Sequence, residues 1–565
     1  MSAAPAENFP ATGGSAFGRQ SLENAAPQTS NHWKLSPALL AAVVIAISIL
    51  PYLFSVRFPF VYDDWGAIAE NPFLRQPDAL AKVLTLQTFF EPRILDGERP
   101  LVIFSCLLDK SIWGLNPFGF HLTNIFLHAA AVAFLFALLG ALAAPLRLRA
   151  AACLLFGLHP ALTEAVQVPA FREDLLATVF TLAFLFFAQR KDFIIALVSL
   201  FLALCGKEAA IIAPALLAWL WLCFPSTVLR HPSSLRFLAA SAALVALYLA
   251  VTFTHRPFQS AGEIWNGLAL RWPQNISTSP WLFARTLGTL AFPYPLCADY
   301  IVTPVTFSDE KFFYGVYFIG ASAAFALSFR RRQPMFAFAA GWLLISFIPV
   351  SNVIPLFNPL ADRYLYMPAI AFAILFGSLI HAGRKETTDH TDSTDAKPDS
   401  QSVPSVKSVV GLSALSAILA LLCACYIGLT LHRLADWNGD EKLWTATAKA
   451  EPRSARAQTW LGLLAANRGD LAQARKYYER ANELNPQDVR GLINLAILDG
   501  KAGHVALAEK KLRAATERRP DFAEGWWNLS FALHLLGRDA EAGQAASRAA
   551  KLDPFDPRAR PSGRE

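Results

Sequence analysis

Apolar runs of 14 to 25 residues recur through the first 430 positions, several of them short or interrupted and the others near the roughly 18 to 22 residues that cross about 30 Å of hydrocarbon at 1.5 Å per residue. They fall at 37–56, 119–143, 148–166, 175–189, 193–206, 208–224, 236–254, 312–329, 335–350, 364–382 and 408–430, and predict eleven membrane-spanning helices. A further stretch, Trp281 to Ala298, is apolar enough to span but is interrupted by Pro293 and Pro295. It reads as a re-entrant or interfacial helix, because proline removes a backbone donor and breaks the helix interior.

Beyond residue 430 the pattern changes. Prolines stand at 452, 486, 520 and 554, spaced by 34 residues, the period of a tetratricopeptide repeat. The intervening helix-pair pattern recurs as Trp460-Leu461-Gly462 with Gly469, Ala474, Tyr478 and Ala481, then Asn494-Leu495-Ala496 with Gly503, Ala508 and Ala515. A third unit carries Trp527-Asn528-Leu529, Gly537, Ala542 and Ala549. Small residues let paired helices approach, and stacked pairs form a solenoid with a concave binding face for a protein or peptide. Leu431 to Ala450, with Trp437 and Trp444, is expected to be helical, an imperfect first repeat.

The fold expected is all-α: a polytopic helical bundle followed by an α-solenoid. Its expected divisions are a disordered tail at 1–34, a membrane domain at 35–430, a connecting helix at 431–452, three repeats at 453–554 and a flexible tail at 555–565. Within the membrane domain, 57–118 reads as the first extracytoplasmic loop and 383–407 as a solvated cytoplasmic linker. The first apolar run is long enough to be an uncleaved anchor helix.

Composition agrees, with 54% hydrophobic and 16% charged residues and a mean hydropathy of +0.35. That is far too apolar for a soluble multidomain enzyme. The net charge of +7 does not point to nucleic acid, because Lys and Arg sit in short clusters between the apolar runs. With the N-terminus inside, Arg147 with Arg149, Arg190 with Lys191, Arg230 with Arg236, and Arg330-Arg331-Arg332 all fall on the cytoplasmic face, as positive-inside topology requires. Eleven crossings then place everything after residue 430 outside. The seven cysteines lie in or beside apolar runs without metal-ligand spacing and read as packing residues.

On the same outer face the chain gathers its strongly polar clusters. These are Tyr62-Asp63-Asp64-Trp65, Arg99-Pro100-Leu101, the stripe His121, Asn124 and His128, His159-Pro160 through Glu164, Arg172-Glu173-Asp174, Lys207-Glu208, and Asp362-Arg363-Tyr364-Leu365-Tyr366. Ionisable residues beside a bilayer are costly unless paired or functional, so their convergence predicts one cavity. A phosphate would neutralise Arg172, Lys207 and Arg363; internal pairing of Arg172 with Asp174, and of Lys207 with Glu208 or Glu164, would serve as well. A divalent metal on the paired carboxylates is a further option, although no decisive ligand set is present.

Taken in order, these motifs and the C-terminal repeats resemble the transmembrane and tetratricopeptide-repeat (TMTC-like) O-mannosyltransferases, within the C-type, polyprenol-dependent glycosyltransferases. The resemblance covers roughly residues 35 to 555. It implies a polyprenyl-phosphate sugar donor such as dolichyl-phosphate mannose, and repeats facing the lumen or extracytoplasmic space. It departs at Phe171, where a glycine is common before Arg-x-Asp, and in having about three repeats. The short solenoid and Ala-rich composition look more like a bacterial member, placed in the inner membrane. The resemblance further implies Asp63 or Asp64 as the base, Asp63 being the first choice, and Arg172, Lys207 and Arg363 holding the donor phosphate. His121, His159 and Glu164 would shape the sugar pocket, supported by Tyr62, Arg99, Asn124, Asp174, Glu208 and Tyr366. Two other classes compete: a non-catalytic anchor displaying a repeat scaffold for protein assembly, and a transporter, whose polar residues would sit nearer the midplane.

Overall fold

The computed structural model describes residues 36–91, 94–225, 232–255, 270, 272–389, 406–553, 556 and 558, and it is all-helical, with no strand among the described residues. Prolines open many of the helices: Pro37–Ile49, Pro100–Trp113, Pro117–Ala141 and Pro334–Phe347 each carry proline in the first turn, where its missing N–H removes no helical bond. Ser36, Asn116 and Asp309 cap their helices by accepting from backbone N–H groups one turn in.

Among the described residues five helices are long and apolar enough to cross a membrane: Pro37–Ser55, Pro117–Ala141, Ser233–Thr254, Glu310–Phe329 and Leu415–Asp436. Phe193–Gly206, Glu208–Cys223, Pro334–Val350 and Pro368–Ile380 are apolar but shorter. The helix Arg172–Gln189 contains the run at 175–189. The run read as one helix over 148–166 is two pieces. Leu146–Gly157 stops before His159-Pro160, a tight turn covers Pro160–Leu162, and a short helix, Thr163–Gln167, follows. Pro160 and Pro169 lack the N–H that a continuous helix needs, so residues 158–171 form a buried, irregular segment. Its free backbone groups are met by side chains from elsewhere: Asn124 Nδ2 donates to the carbonyls of Val166 and Val168, and Thr430 Oγ1 to that of Leu158.

The segment expected at 281–298 starts earlier, as the helix Gln274–Ala291, and ends before Pro293 as anticipated. Pro280 lies inside it, and Gly315 of the neighbouring helix packs against that point, where a Cβ would stand 2.2 Å from the Pro280 carbonyl oxygen. The region read as loop 57–118 contains a real helix, Pro100–Trp113. The linker 383–407 is helical at both ends, continuing Pro368–Asp389 and opening Val406–Asp436, while 390–405 and the N-terminal tail lie outside the described residues.

The helix Asp440–Ala450 leads into three helix pairs, Ala455–Asn467 with Leu471–Leu484, Val489–Lys501 with Val505–Arg518, and Ala523–Leu535 with Asp539–Leu552. Gly469, Gly503 and Gly537 turn the chain within each pair at φ of 83°, 85° and 72°, a left-handed conformation that favours glycine. The first repeat packs onto the membrane half. Val61, Tyr62, Val168, Ala170 and Phe171 share one buried cluster with Trp437, Leu443, Trp444, Ala457 and Leu461.

Candidate active site

The paired carboxylates follow the first helix in a tight turn closed by Asp64 N–H donating to the Val61 carbonyl at 3.1 Å. Tyr62 sits at φ 56°, an uncommon conformation for a side chain of that size, and of the two aspartates that follow it Asp63 is exposed and Asp64 buried. Asp64 is fully buried, its Oδ1 accepting from Ala170 N–H at 2.8 Å and its Oδ2 from Val61 N–H at 3.1 Å. It pins the 158–171 segment to the turn, and burial pushes its carboxyl up to about 8 against the pull of those two N–H groups. Asp63 is exposed and its carboxylate takes no hydrogen bond from any described residue. Crowding by the protein raises its pKa, while the charges of Arg363 and Arg456 lower it.

The basic residues are less free than their sequence positions promise. Arg172 is fully buried and saturated. Its Nη2 pairs with Asp109 Oδ2 at 2.7 Å and donates to the Phe120 carbonyl, Nε donates to Asn124 Oδ1, and Nη1 to Ser105 Oγ. Its partner is therefore Asp109, one helix away, and not Asp174. Lys207 Nζ donates to both Asp174 oxygens at 2.8 Å and stands 3.1 Å from Glu173 Oε1, so Glu208 and Glu164 are not its partners. Glu208 instead meets Arg99 Nε and Nη2 side by side, at 3.1 and 2.9 Å, and Arg99 Nη1 reaches Glu173 at 2.9 Å. The result is one ladder, Glu208, Arg99, Glu173, Lys207 and Asp174, in which the acids outnumber the bases.

Arg363 stands apart. Its Nη1 donates to Glu164 Oε1 at 2.5 Å, its backbone N–H to Oε2 at 3.2 Å, and its guanidinium lies 4.1 Å from the centre of the Phe171 ring. Its Nε and Nη2 have no acceptor among the described residues. Tyr364 lies within cation–π range of both Arg363, at 5.1 Å, and Lys207, at 5.7 Å, and links that pair to the ladder.

The histidines act as struts. His121 Nε2–H donates to the Phe58 carbonyl at 3.1 Å and His159 Nε2–H to that of Leu290 at 3.0 Å. His128 donates from Nε2 to the Gly157 carbonyl, so its Nδ1 accepts from the Tyr366 hydroxyl at 2.8 Å. Thus Arg99, Glu164, Asp174, Lys207, Glu208 and Arg363 come together as ion pairs, while His121, Asn124, His159, Arg172 and Tyr366 hold the scaffold behind them.

Four residues of this region carried no recognised signal: Asp109, Asp299, Asp440 and Arg456. Asp109 is a lone carboxylate in an otherwise apolar helix, which marks a buried partner in waiting. Arg456 comes from the first repeat, donating to the Tyr62 hydroxyl at 2.8 Å and to Asn358 Oδ1 at 3.2 Å, and pairing with Asp299 at 3.3 Å. It holds the same repeat position as Arg490 and Glu524, so the period alone does not single it out.

A divalent cation finds no ready donor set. Among the described residues no three His, Cys, Asp or Glu side chains converge as a metal requires. Glu164 is engaged by Arg363, and Glu173 and Asp174 by Lys207.

A second feature lies within the bundle, a cavity of about 590 Å³ between the helices Gln274–Ala291, Glu310–Phe329, Pro334–Phe347 and Pro368–Asp389. Its walls are apolar, with Leu287, Phe325, Phe336, Leu343, Phe372 and Leu375 among them. Phe372 meets the His159 ring edge-on at 5.7 Å between centres, one side-chain layer from the turn that leads to Glu164.

Comparison with known proteins agrees with both halves. The tetratricopeptide repeat family model matches residues 441–489 and 493–557, so the first match opens inside the helix Asp440–Ala450. Protein O-mannosyl-transferase TMTC3 of Mus musculus is 26% identical over 496 residues, covering 78% of this chain and 50% of that protein. Protein O-mannosyl-transferase F38B6.6 of Caenorhabditis elegans is 25% identical over 350 residues, 59% of this chain and 50% of its own. Protein O-mannosyl-transferase TMTC1 of Mus musculus reaches 34% over 174 residues, 30% of this chain and 18% of that protein. The chain thus spans about half the length, or less, of the curated relatives it matches. A solved oligosaccharyltransferase of Archaeoglobus fulgidus aligns at a TM-score of 0.38 and 13% identity, over 78% of this chain and 58% of that one. The chain is an all-helical, multi-pass membrane protein that ends in tetratricopeptide repeats and is similar in sequence to the TMTC protein O-mannosyl-transferases.

Proposed function

We propose that the chain is a membrane glycosyltransferase that moves a sugar, mannose or another hexose, from a polyprenyl-phosphate donor to a protein acceptor on the extracytoplasmic face of a bacterial inner membrane. Residues 35–430 supply the chemistry and 453–554 present the acceptor. One observation carries this reading. Of two adjacent aspartates, one is locked by backbone donors, and the other is left open beside two arginines, in a setting that makes it a stronger base than a free carboxylate.

In the reaction the acceptor oxygen bonds to the anomeric carbon and the bond from that carbon to the phosphate oxygen breaks. The electron pair leaves with the phosphate, and the hydroxyl proton passes to Asp63. Arg363 is the cation best suited to the departing phosphate, since Glu164 fixes one edge of its guanidinium and the other edge has donors to give. Arg172 and Lys207 are engaged internally, so their role is to hold the frame. The apolar cavity suits the polyprenyl chain, and its Phe372 wall touches His159.

The test is transfer of labelled mannose from a polyprenyl-phosphate donor in membranes carrying the full chain. Asp63→Asn is expected to lower the rate by about 10²- to 10⁴-fold, the usual contribution of a positioned base, with an unchanged melting temperature because the Asp63 carboxylate holds no hydrogen bond. Undiminished transfer in that variant would remove Asp63 from the reaction.

A further inference from the structure

The repeat half reaches directly into the turn that carries the reactive carboxylate. Asp440, at the start of the helix before the first repeat, accepts from Tyr62 N–H at 2.9 Å through Oδ1 and from Trp65 Nε1–H at 2.9 Å through Oδ2. One carboxylate therefore clips both ends of Tyr62-Asp63-Asp64-Trp65. Arg456 holds the same turn from the other side by donating to the Tyr62 hydroxyl, and its own position is fixed by Asp299 and Asn358. Ser454, two residues before it, donates to Asp299 Oδ2 at 2.6 Å. The Tyr62 ring is wedged edge-on between Phe171 of the membrane half, 5.7 Å away, and Trp444, 5.2 Å away, which in turn stacks on Trp460 of the first repeat.

We infer that Asp440 and Arg456 are positioning residues of the reaction site, and that the Asp63 carboxylate is held in register only while the repeat solenoid is seated on the membrane half. A solenoid serving only to recruit an acceptor has no need to touch the reactive turn. Here it provides both clamps on a tyrosine in an unfavourable left-handed conformation, which persists only where its surroundings over-determine it. It also supplies charge. The groups acting on Asp63 are Arg363 from the turn Asp362–Leu365, Arg456 from Ala455–Asn467, Glu164 from Thr163–Gln167 and Glu173 from Arg172–Gln189, so one of the two cations belongs to the repeats. Engagement of an acceptor by the solenoid and activation of its hydroxyl at Asp63 are thereby mechanically linked. This inference rests on the reading of Asp63 as the base.

The experiment uses the full chain in detergent and reads Asp63 directly, by carbodiimide-driven amine labelling across a pH series with peptide mass spectrometry, alongside mannose transfer from the polyprenyl-phosphate donor. Removing a neighbouring cation raises a carboxylate's pKa, so Arg456→Ala is expected to move the labelling midpoint to higher pH and to lower kcat at least tenfold with the donor KM unchanged. Arg456→Lys should restore most of the midpoint. Tyr62→Phe changes no charge and removes only the clamped hydroxyl, and it should lower kcat several-fold; it keeps the test open where Arg456→Ala does not fold. Arg513→Ala, in the second repeat, should match the parent in both readouts. Parent-like midpoint and kcat in Arg456→Ala, or parent-like kcat in Tyr62→Phe where Arg456→Ala does not fold, would overturn the inference. The labelling arm needs no turnover, so a parent that transfers no sugar would refute the transferase reading, while a midpoint unmoved by Arg456→Ala would refute the clamp.

Discussion

The chain builds two ladders of alternating charge from the same residue types at the same distances. In the membrane half, Glu208, Arg99, Glu173, Lys207 and Asp174 run in series, with Lys207 only 2.8 Å from Asp174. On the second and third repeats, Arg513 bridges Glu509 and Glu541, and Arg538 meets the same two acids, the Arg513–Glu541 contact again being 2.8 Å. Distance does not separate them; burial does, over the inner rungs from Arg99 to Asp174. Lys207 and Asp174 are 7% and 11% exposed, whereas Arg513 and Glu541 are 41% and 44% exposed. Among exposed pairs water and salt do most of the compensating, so each pair contributes little. Away from water a charge is compensated only by its partner, and the cost of a missing partner fixes the arrangement. The membrane ladder therefore specifies where the strands of chain around Asp63 must lie, and the repeat ladder decorates a surface.

The sharpest test of what burial does is at a pair outside both ladders and more buried than either, Arg172 with Asp109 in the scaffold behind the membrane one. Arg172→Met removes three donated hydrogen bonds and the ion pair to Asp109, and leaves Asp109 with only the Thr123 hydroxyl, at 2.6 Å, to compensate its charge. An uncompensated buried charge costs about 3–5 kcal/mol, so the variant is expected to melt far below the parent in detergent or to be lost during purification. Arg172→Met combined with Asp109→Asn should recover much of that loss, since no charge is then stranded. A single variant as stable as the parent would show that burial does not set the cost of a missing partner.

Asp64 gives a second, smaller effect with a definite sign. Its folded-state pKa is raised to about 8, above the usual carboxylate value near 4 that applies in the unfolded chain. Its contribution to stability is therefore fully present at pH below about 4 and is lost progressively as pH rises through about 8. The parent should lose melting temperature between pH 6 and pH 9, and Asp64→Asn should flatten that slope. At pH 6 the same variant should cost about 1–3 kcal/mol, because an amide accepts only through its oxygen and leaves Ala170 N–H or Val61 N–H unmet. An undiminished slope in Asp64→Asn would mean that another group titrates.

How much of this was open to a reader of the sequence depends on what each residue's meaning rests on. The 34-residue period and the gathering of ionisable residues are local patterns, and both survive into the fold. The identity of partners is not local. Asp109 pairs with Arg172 from a helix whose 14 residues are too few to announce a span, so it lay hidden in what reads as a loop. Asp63 and Asp64 are chemically identical neighbours, and only the fold shows that Asp64 turns inward to the Ala170 and Val61 N–H groups while Asp63 stays exposed. Pro160 did carry a signal, since a proline flanked by histidine argues for a break, and it ends the helix read over 148–166. Arg456 carried none, because docking of the first repeat alone distinguishes it from Arg490.

The mildest test asks whether the exposed ladder is as inert as burial implies. Arg513→Ala removes the cation shared by Glu509 and Glu541, but both acids keep Arg538, at 3.1 and 2.7 Å. The loss should be about a tenth to a fifth of that from Arg172→Met. Salt provides the discriminating axis. At about 0.5 M the screening length falls well below the roughly 10 Å that holds at 0.1 M, so the difference between Arg513→Ala and the parent should shrink as salt is added. The deficit of Arg172→Met should not respond, because ions do not enter the space between Arg172 and Asp109. If both deficits fell equally with salt, the Arg172–Asp109 pair would have to be open to solvent, and the physical basis for a rigid frame behind Asp63 would be gone.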